Sequence, residues 1–406
     1  MAYPLESDAQ RRLEEYFAEI GETLGHKKRR ASFAIYAMGL LGEGIRKSVE
    51  PIAARTSPDP EHVDAMHQQL LHFIADSAWD DRAVRLTAAR HAIAAMSERD
   101  PIRLWIIDDT GFLKQGTHSV GVQRQYTGTA GKVTNCQVGV SLSVASSSAH
   151  VPVDFRLYLP ESWANDPDRR KEARIPSDVT FKTKPELALD MIEQALEDSI
   201  PGEIVLADAD YGDRPQFRHT LRALGLDYAV GVRCTTRAQR ADRLHRPRGQ
   251  VQTIREMALS LPETMYRGLT WREGTGRMLS SRFAFCRVVV AHEGAEGHAR
   301  EPEWLIIEWP TGASQPTKYA LCTLPRTTSH RQLVRLLKER YRTERAYQEL
   351  KDELGLDHFE GRSFRGWHHH VSVALCCYAF VAAERVRRFP PSAVGEISSR
   401  ALVLAA

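Results

Sequence analysis

Two aspartates follow short apolar runs that the sequence predicts to be strands. Residues 104–107 lead into Asp108, and residues 204–207 lead into Asp208. Side chains at the C-terminal ends of neighbouring strands converge in one crevice. There, carboxylate oxygens can bind a hard divalent cation such as Mg²⁺, and two such ions can bind the attacking and leaving oxygens of a phosphodiester displacement. The alternative is that both residues are ordinary turn residues, a position that Asp favours.

A third carboxylate, Glu344, lies between two cations at helical spacing. Arg340 precedes it by four residues and Lys351 follows it by seven. At ~100° per residue, one continuous helix places all three within roughly 40° of one face. The pattern favours a metal-ligand Glu between two phosphate-binding cations. The alternative is an exposed ion pair, which stabilises a helix by only ~0.3–0.5 kcal/mol.

These residues need a scaffold, and the hydrophobic periodicity indicates three kinds of structure. Residues 1–98 are helical, and the second helix is predicted to begin at the basic run 26–30. Residues 99–234 are predicted to form a mixed α/β core. It consists of a strand followed by a turn at residues 108–111, an antiparallel hairpin and a βαβ part. A capping box, Thr183 with Glu186, starts its first helix.

The remaining chain returns to the same core after a β-rich insertion. Residues 235–325 alternate apolar and polar residues, and residues 326–406 complete the core. A second capping box, Ser329 with Gln332, is predicted to start a long helix that runs to Gly355 and carries Glu344. An apolar helix near 371–387 follows. The adjacent histidines 368–370 point to different faces, so we expect structural or phosphate-contacting roles for them and not a metal site.

Composition narrows the class of protein. The net charge is only +3, but Lys and Arg outnumber Asp and Glu in three separated stretches, residues 27–55, 233–248 and 331–388. This distribution suits a polyanionic partner, although such stretches are also common on solvated surfaces. No run of apolar residues in the sequence reaches the ~18 residues that a membrane-spanning helix needs. The first residues lack the pattern of a secretory signal, and the six cysteines show no C-x-x-C pair, so we expect a reducing cytoplasm.

Over nearly its whole length, the chain resembles the DDE transposases of bacterial insertion sequences, in the subgroup with a β insertion, and four stretches carry this resemblance. They are WIIDDTGFLKQG (105–116), SVGVQRQYTGTAGKVTNCQVGVSL (119–142), VLADADYGD (205–213) and RYRTERAYQELKDELGLDHFEGRSFRGWHHH (340–370). The last is the most specific, because the subgroup's Tyr-Arg-Glu-Lys signature matches Arg340, Glu344 and Lys351. The signature's Tyr falls at Leu337, and Tyr341 and Tyr347 are the candidates to replace it.

The resemblance implies an RNase H-like fold and a catalytic, metal-binding triad of Asp108, Asp208 and Glu344. Asp109 and Asp210 are the alternatives within their pairs. It also implies DNA contacts from seven cations, which are Arg340, Lys351, Lys114, Lys27, Lys28, Arg29 and Arg30. In the insertion, the run 233–248 and Trp271 are expected to contact DNA ends.

By the same resemblance, the protein cleaves element ends and transfers strands with Mg²⁺, for which Mn²⁺ can substitute. The implied partners are double-stranded DNA, at element ends and target, and a second copy of the chain in a homodimer on DNA. No membrane is expected, and the location is the cytoplasm at the bacterial nucleoid. Two alternatives stay open: a domesticated transposase that binds DNA as a regulator without cleavage, and a nuclease on the same fold.

Overall fold

The structure is a computed structural model that describes residues 7–242, 247–274, 277–291 and 301–388. Its helices are α1 (Ser7–Leu24), α2 (Lys27–Leu41), α3 (Val49–Thr56), α4 (Val63–Leu71), α5 (Asp81–Ser97), α6 (Glu161–Ala164), α7 (Pro167–Glu172), α8 (Lys184–Glu197), α9 (Ala209–Gly212), α10 (Pro215–Ala223), α11 (Ile254–Leu259), α12 (His330–Lys338), α13 (Tyr341–Asp352) and α14 (Phe364–Arg388). Its strands are β1 (Leu104–Leu113), β2 (Gln123–Thr127), β3 (Lys132–Ala145), β4 (His150–Tyr158), β5 (Ile204–Ala207), β6 (Asp227–Val232), β7 (Arg237–Ala241), β8 (Pro247–Thr253), β9 (Arg267–Gly274), β10 (Arg277–Val290), β11 (Glu303–Trp309) and β12 (Lys318–Cys322).

Local sequence signals set several helix ends as predicted. α2 begins directly after His26, whose side chain accepts the backbone N–H of Lys28 at 3.2 Å. The capping boxes at Thr183 and Ser329 start α8 and α12. Gly225 follows α10 with a φ of 74°, a conformation that glycine adopts without a Cβ clash. These ends depend on neighbouring residues alone, so the sequence suffices to place them.

The chain divides into two compact units. The described residues of the first lie within Met1–Ile102, Asp108–Pro201 and Arg342–Gly395. In this unit β3 pairs antiparallel with both β2 and β4, as the predicted hairpin requires for β3 and β4. Helix α14 packs against α1, α2, α5 and β4, so the N-terminal helices share a core with the C-terminal helix. Tyr16 and Tyr36 mark this core, since their hydroxyls bond to Cys376 O and His370 Nδ1 at 2.9 Å each.

A buried ion cluster crosses the same core. Arg85, which is 6% exposed, donates to Asp154 at 3.0 Å and to the Ser372 hydroxyl at 2.7 Å, and it also pairs with Asp81. Burial alone would raise the pKa of Asp81, but the Arg85 guanidinium lowers it to about 2. The cluster therefore keeps its charges paired at neutral pH.

The second unit comprises Arg103–Ile107 and Gly202–Tyr341 among the described residues. Residues 104–107 of β1 belong to this unit, and its strands follow the order β1-β5-β6-β12-β11-β10-β7-β8, with β9 also paired to β10. β5 pairs parallel with β1 and with β6, and the remaining pairs are antiparallel. The mixed sheet and the β-rich character of residues 235–325 agree with the predictions. None of the described helices combines the length and the apolarity needed to cross a membrane.

Candidate active site

Asp108 lies in the middle of β1 and not at its end. The prediction that the first strand stops at Ile107 and turns at residues 108–111 is wrong, because β1 continues to Leu113. Thr110 and Phe112 are buried, and Gly111 admits a close neighbour, since a Cβ there would lie 2.1 Å from Thr127 Oγ1. The Asp-Asp-Thr-Gly sequence therefore belongs to a strand that packs against the segment containing Thr127. Within this strand, Asp108 is 8% exposed.

Asp108 and Asp109 point to opposite faces of β1, as successive strand residues must. The Oδ1 of Asp108 accepts the backbone N–H of Asp109 at 2.9 Å. Asp109 instead forms an ion pair with Lys184 at 2.8 Å, and Lys184 is fixed at the start of α8 by the Thr183 capping box. The structure thus gives Asp109 a cation on its own face, and the choice of Asp108 as the metal ligand of the pair stays a prediction.

Asp208 follows β5, as predicted, and acts as the N-cap of α9. Its Oδ1 accepts the backbone N–H of Asp210 at 2.8 Å, and its Oδ2 lies 4.0 Å from a guanidinium nitrogen of Arg340. Asp210 pairs with Arg233 at 3.3 Å. Gly231 permits this packing, because a Cβ there would lie 2.8 Å from the backbone nitrogen of Ala209. The Arg340 guanidinium therefore faces the carboxylate predicted to bind metal.

The long helix predicted from Ser329 to Gly355 is broken into α12 and α13. The break falls at Glu339 and Arg340, where the N–H of Glu339 bonds to Leu336 O in a tighter turn. Arg340 therefore precedes α13 and lies outside the helix that carries Glu344 and Lys351, so the prediction that one continuous helix carries all three residues is wrong. Neither residue at the break is Gly or Pro, so no local signal in the sequence marks it.

Three polar side chains at four-residue spacing fasten α13 to three strands. Thr343 Oγ1 lies 2.9 Å from His150 Nε2 on β4, and Tyr347 Oη lies 2.5 Å from Ser141 Oγ on β3. Lys351 Nζ donates to Thr110 Oγ1 at 2.8 Å and to Gly111 O at 2.7 Å on β1. Residues at this spacing share one helix face, so the three contacts fix both the rotation and the position of α13.

Glu344 is exposed on α13, and about 20° of rotation separates it from Lys351 at helical spacing. Lys351 on the same helix reaches Thr110, two residues beyond Asp108, and the approach of Glu344 to Asp108 stays a prediction. The polar face of Thr343, Tyr347 and Lys351 was missed by sequence reasoning, although its spacing is visible in the sequence.

The predicted DNA-contacting cations have different surroundings. Lys27, Lys28 and Arg30 are exposed at the first turn of α2, whereas Arg29 is half-buried and donates to Ser77 Oγ at 3.1 Å. Lys114 donates to Phe359 O at 2.6 Å, and burial lowers the pKa of Lys114. Lys351, described above, is likewise bound to protein oxygens. A DNA contact of any of these residues stays a prediction.

The basic run of the insertion is only partly described, because residues 243–246 lie outside the described residues. Arg233 pairs with Asp210, and Arg248 pairs with Asp242 at 3.0 Å. Trp271 is covered by Lys338, whose Nζ lies 4.3 Å from the ring centroid. Its contact with DNA stays a prediction.

The three adjacent histidines are structural. His368 and His369 lie within hydrogen-bonding distance of backbone carbonyl oxygens. His370 sits between the Tyr36 hydroxyl at 2.9 Å and Gly355 O at 3.0 Å, and burial lowers the pKa of His370 to about 4. All three are buried in α14, so they position backbone and do not present a metal site.

Comparison with known families decides the class of this site. The family described as "DDE superfamily endonuclease" matches residues 19–277, and the family described as "Transposase DDE domain" matches residues 182–380. The first match spans more than half of the chain. This chain belongs to the DDE superfamily.

A curated relative agrees with this membership of the DDE superfamily. The chain is 30% identical over 203 residues to a "Probable transposase for insertion sequence element IS701" from Microchaete diplosiphon. The match covers 50% of this chain and 48% of the relative, so the chain spans about half the length of the curated relative it matches. The resemblance inferred from the sequence and the RNase H-like fold that it implied are confirmed.

Members of the DDE superfamily depend on divalent metal ions. Asp108, Asp208 and Glu344 offer carboxylate oxygens, the ligand type that hard divalent cations prefer, so the residues fit the metal chemically. Within the part of the chain that the structure describes, no group of three His, Cys, Asp or Glu side chains is placed so that it could hold a metal ion. The three-carboxylate centre therefore stays a prediction.

Proposed function

We propose that this protein is the transposase of an insertion sequence, which cuts and joins DNA at the ends of its element. Membership of the DDE superfamily supports the reaction class. The observation that carries the assignment of residues is the bond from Lys351 to Thr110 and Gly111. It fastens the helix that bears Glu344 to the strand that bears Asp108, as a shared carboxylate site requires.

Asp108, Asp208 and Glu344 would hold the divalent ions, with Mg²⁺ as the proposed ion and Mn²⁺ as a substitute. Bound there, the ions supply the charge that stabilises the attacking and leaving oxygens of an in-line phosphodiester displacement. Burial of Asp108 and the helix cap made by Asp208 restrict both side chains to one orientation. No covalent protein intermediate is needed.

Arg340 is proposed to position Asp208 and to bind a phosphate oxygen. Its guanidinium lies 4.0 Å from Asp208 Oδ2, and it is 25% exposed. A guanidinium offers five donors in a planar fork, so it can face a carboxylate with one edge and a phosphate with another. This arrangement would order the scissile phosphate relative to the carboxylate.

The ends of the element are proposed to bind the exposed cations of α2, which are Lys27, Lys28 and Arg30, together with Arg29. Cations on one exposed turn supply sequence-independent affinity for DNA phosphates. Joining two ends requires that both be held together, which motivates the proposed homodimer on DNA. Binding of element ends also places the protein at the bacterial nucleoid.

The experiment uses the full chain and labelled duplexes that carry the inverted repeats flanking its gene. Wild-type protein with Mg²⁺ should cleave at the repeat boundary and join the released 3′ end to a second duplex. Asp208→Asn should lose both reactions yet bind the duplex with nearly unchanged affinity, because Lys and Arg contacts to phosphate supply most of that affinity. Asp64→Asn, an exposed acid on α4, is the matched control and should react normally.

Binding without cleavage by the wild-type protein would favour a regulator, and cleavage without joining would favour a nuclease. Either outcome overturns the transposase proposal. Equal loss of binding and cleavage in Asp208→Asn would show that Asp208 maintains the fold and is not a metal ligand.

A further inference from the structure

The hairpin formed by β2 and the start of β3 has an exposed apolar and basic surface. Tyr126 is 65% exposed and Val133 is 54% exposed, and the two residues are direct cross-strand partners. Arg124 and Lys132 are exposed on the same two strands. The tyrosine and the valine form a small exposed apolar surface on the same hairpin as the two cations.

The chain around this hairpin carries no negative side chain. No Asp or Glu occurs between Asp109 and Asp154, whereas Lys114, Arg124 and Lys132 fall within that interval. Since a quarter of all residues in the chain are charged, an interval of this length with cations only is unusual. The strands themselves therefore present positive charge without internal neutralisation, which suits a polyanion.

The turn of the hairpin is fastened to the strand that bears Asp108. The hydroxyl oxygen of Thr129 accepts the backbone N–H of Gly111 at 3.2 Å, and Lys351 Nζ donates to the same oxygen at 3.2 Å. The Thr110 and Thr129 hydroxyls are 3.3 Å apart. Because the turn is held at positions two and three residues beyond Asp108, whatever binds the hairpin is close to the catalytic strand.

We propose that residues 123–135 form a two-stranded ribbon that enters a groove of duplex DNA next to the phosphodiester that is cut. The major groove of B-DNA admits a two-stranded β-ribbon. Arg124 and Lys132 bind phosphates at its margins, while Tyr126 and Val133 contact base edges and thymine methyl groups. This inference rests on the proposed function and adds to it the element that holds DNA at the cut.

Protection of a sheet edge is the competing explanation. β2 is the terminal strand in the order β2-β3-β1 of its unit, and basic side chains on edge strands prevent edge-to-edge aggregation. That role predicts aggregation of the charge-removing variants and no change in their affinity for DNA. It leaves the exposed Tyr126 and Val133 unexplained, since apolar residues promote such aggregation.

The test measures fluorescence anisotropy of a labelled element-end duplex with the full chain over a range of salt concentrations. Arg124→Gln and Lys132→Gln should each raise Kd about tenfold and make the salt dependence shallower by ~0.9 per lost phosphate contact. Tyr126→Ser should raise Kd by a similar factor without changing the salt slope, because the lost contact is apolar. Tyr126→Phe should bind like the wild type, because it keeps the apolar ring. Equal melting temperatures of Tyr126→Ser and the wild type show that the loss of affinity is not unfolding.

Matched controls remove similar side chains elsewhere. Arg11→Gln removes an arginine that is 61% exposed on α1, and Leu196→Gln removes an apolar side chain that is 38% exposed on α8. Both controls should bind like the wild type. If the hairpin variants also bind like the wild type, aggregated or not, the ribbon proposal is overturned while the proposed function stands. If the wild-type protein binds no element-end DNA, both are overturned.

Discussion

The hydroxyl oxygens of Tyr347 and Ser141 lie 2.5 Å apart where α13 packs on β3. Ser141 is fully buried, and Tyr347 is 6% exposed. This bond is the middle of the three contacts that hold α13, between Thr343 with His150 and Lys351 with β1. The helix that bears Glu344 is thus positioned by buried polar contacts and not by apolar packing alone.

Removing one partner of this bond is predicted to cost more than removing both. Tyr347→Phe leaves the buried Ser141 hydroxyl without the tyrosine, which should lower the free energy of unfolding by about 1–3 kcal/mol. In the double variant Tyr347→Phe with Ser141→Ala the loss should shrink to well under ~1 kcal/mol. Urea unfolding of both single variants and the double variant gives the coupling energy. Strict additivity would contradict a direct bond.

Lys351 is predicted to stabilise the fold as well as support activity. Its ammonium donates to Thr110, Gly111 and Thr129, and its pKa is lowered by burial. Lys351→Met, which keeps the length of the side chain, should lower the free energy of unfolding by about 1.5–3 kcal/mol. These contacts within the protein alone predict no change in the salt dependence of DNA binding. A shallower slope with unchanged stability would instead show a direct phosphate contact.

Substitutions of the two aspartates of β1, Asp108 and Asp109, are predicted to have different effects on metal binding. Asp108→Asn should abolish the heat of Mn²⁺ binding in calorimetry of the full chain, because a metal ligand is lost. Asp109→Asn should retain that heat and lower the free energy of unfolding by about 1 kcal/mol, since its Lys184 partner is only partly buried. The reverse pattern would assign the ligand to Asp109.

Stability is predicted to fall as pH decreases from about 6.5 towards 4. Burial lowers the pKa of His150 to about 3 and that of His370 to about 4, whereas an unfolded histidine has its ordinary pKa of 6.5. In this window the unfolded chain binds protons that the folded chain does not, so the free energy of unfolding falls by up to ~1.4 kcal/mol per pH unit for each histidine. Asp81, with a pKa of about 2, adds its own loss only below this window.

Urea unfolding at several pH values between 7 and 5 tests this dependence. His370→Gln should weaken the pH dependence, because one of the titrating groups is removed. Stability that stays constant between pH 7 and 5 would contradict neutral buried histidines.

The elements that could be predicted from the sequence are those that local signals determine. The start of α8 follows from Thr183 and Glu186, and the strand before Asp208 follows from four apolar residues. The break between α12 and α13 and the continuation of β1 past Asp108 could not be predicted. Both depend on tertiary contacts. In the sequence alone, Gly111 indicates a turn, and only the packing of Thr127 against it explains a glycine within a strand.

In the candidate site, too, residue types could be predicted from the sequence, whereas their surroundings could not. Types and spacings of residues identified the carboxylates, and the family comparison supports that choice of reaction class. The environment of each cation could not be inferred, because an exposed and a buried lysine look alike in a sequence. Lys27 is exposed, whereas Lys114 donates to a backbone carbonyl.

The packing of the N-terminal helices on α14 constrains the order in which the chain can fold during synthesis. Tyr16 bonds to Cys376 and Tyr36 bonds to His370, so partners are separated by 360 and 334 residues of sequence. The apolar side of α1 and α2 emerges from the ribosome long before its partner helix is translated. The first unit can therefore close only after α14 has been made, and a nascent or prematurely terminated chain leaves these helices exposed to chaperones and proteases.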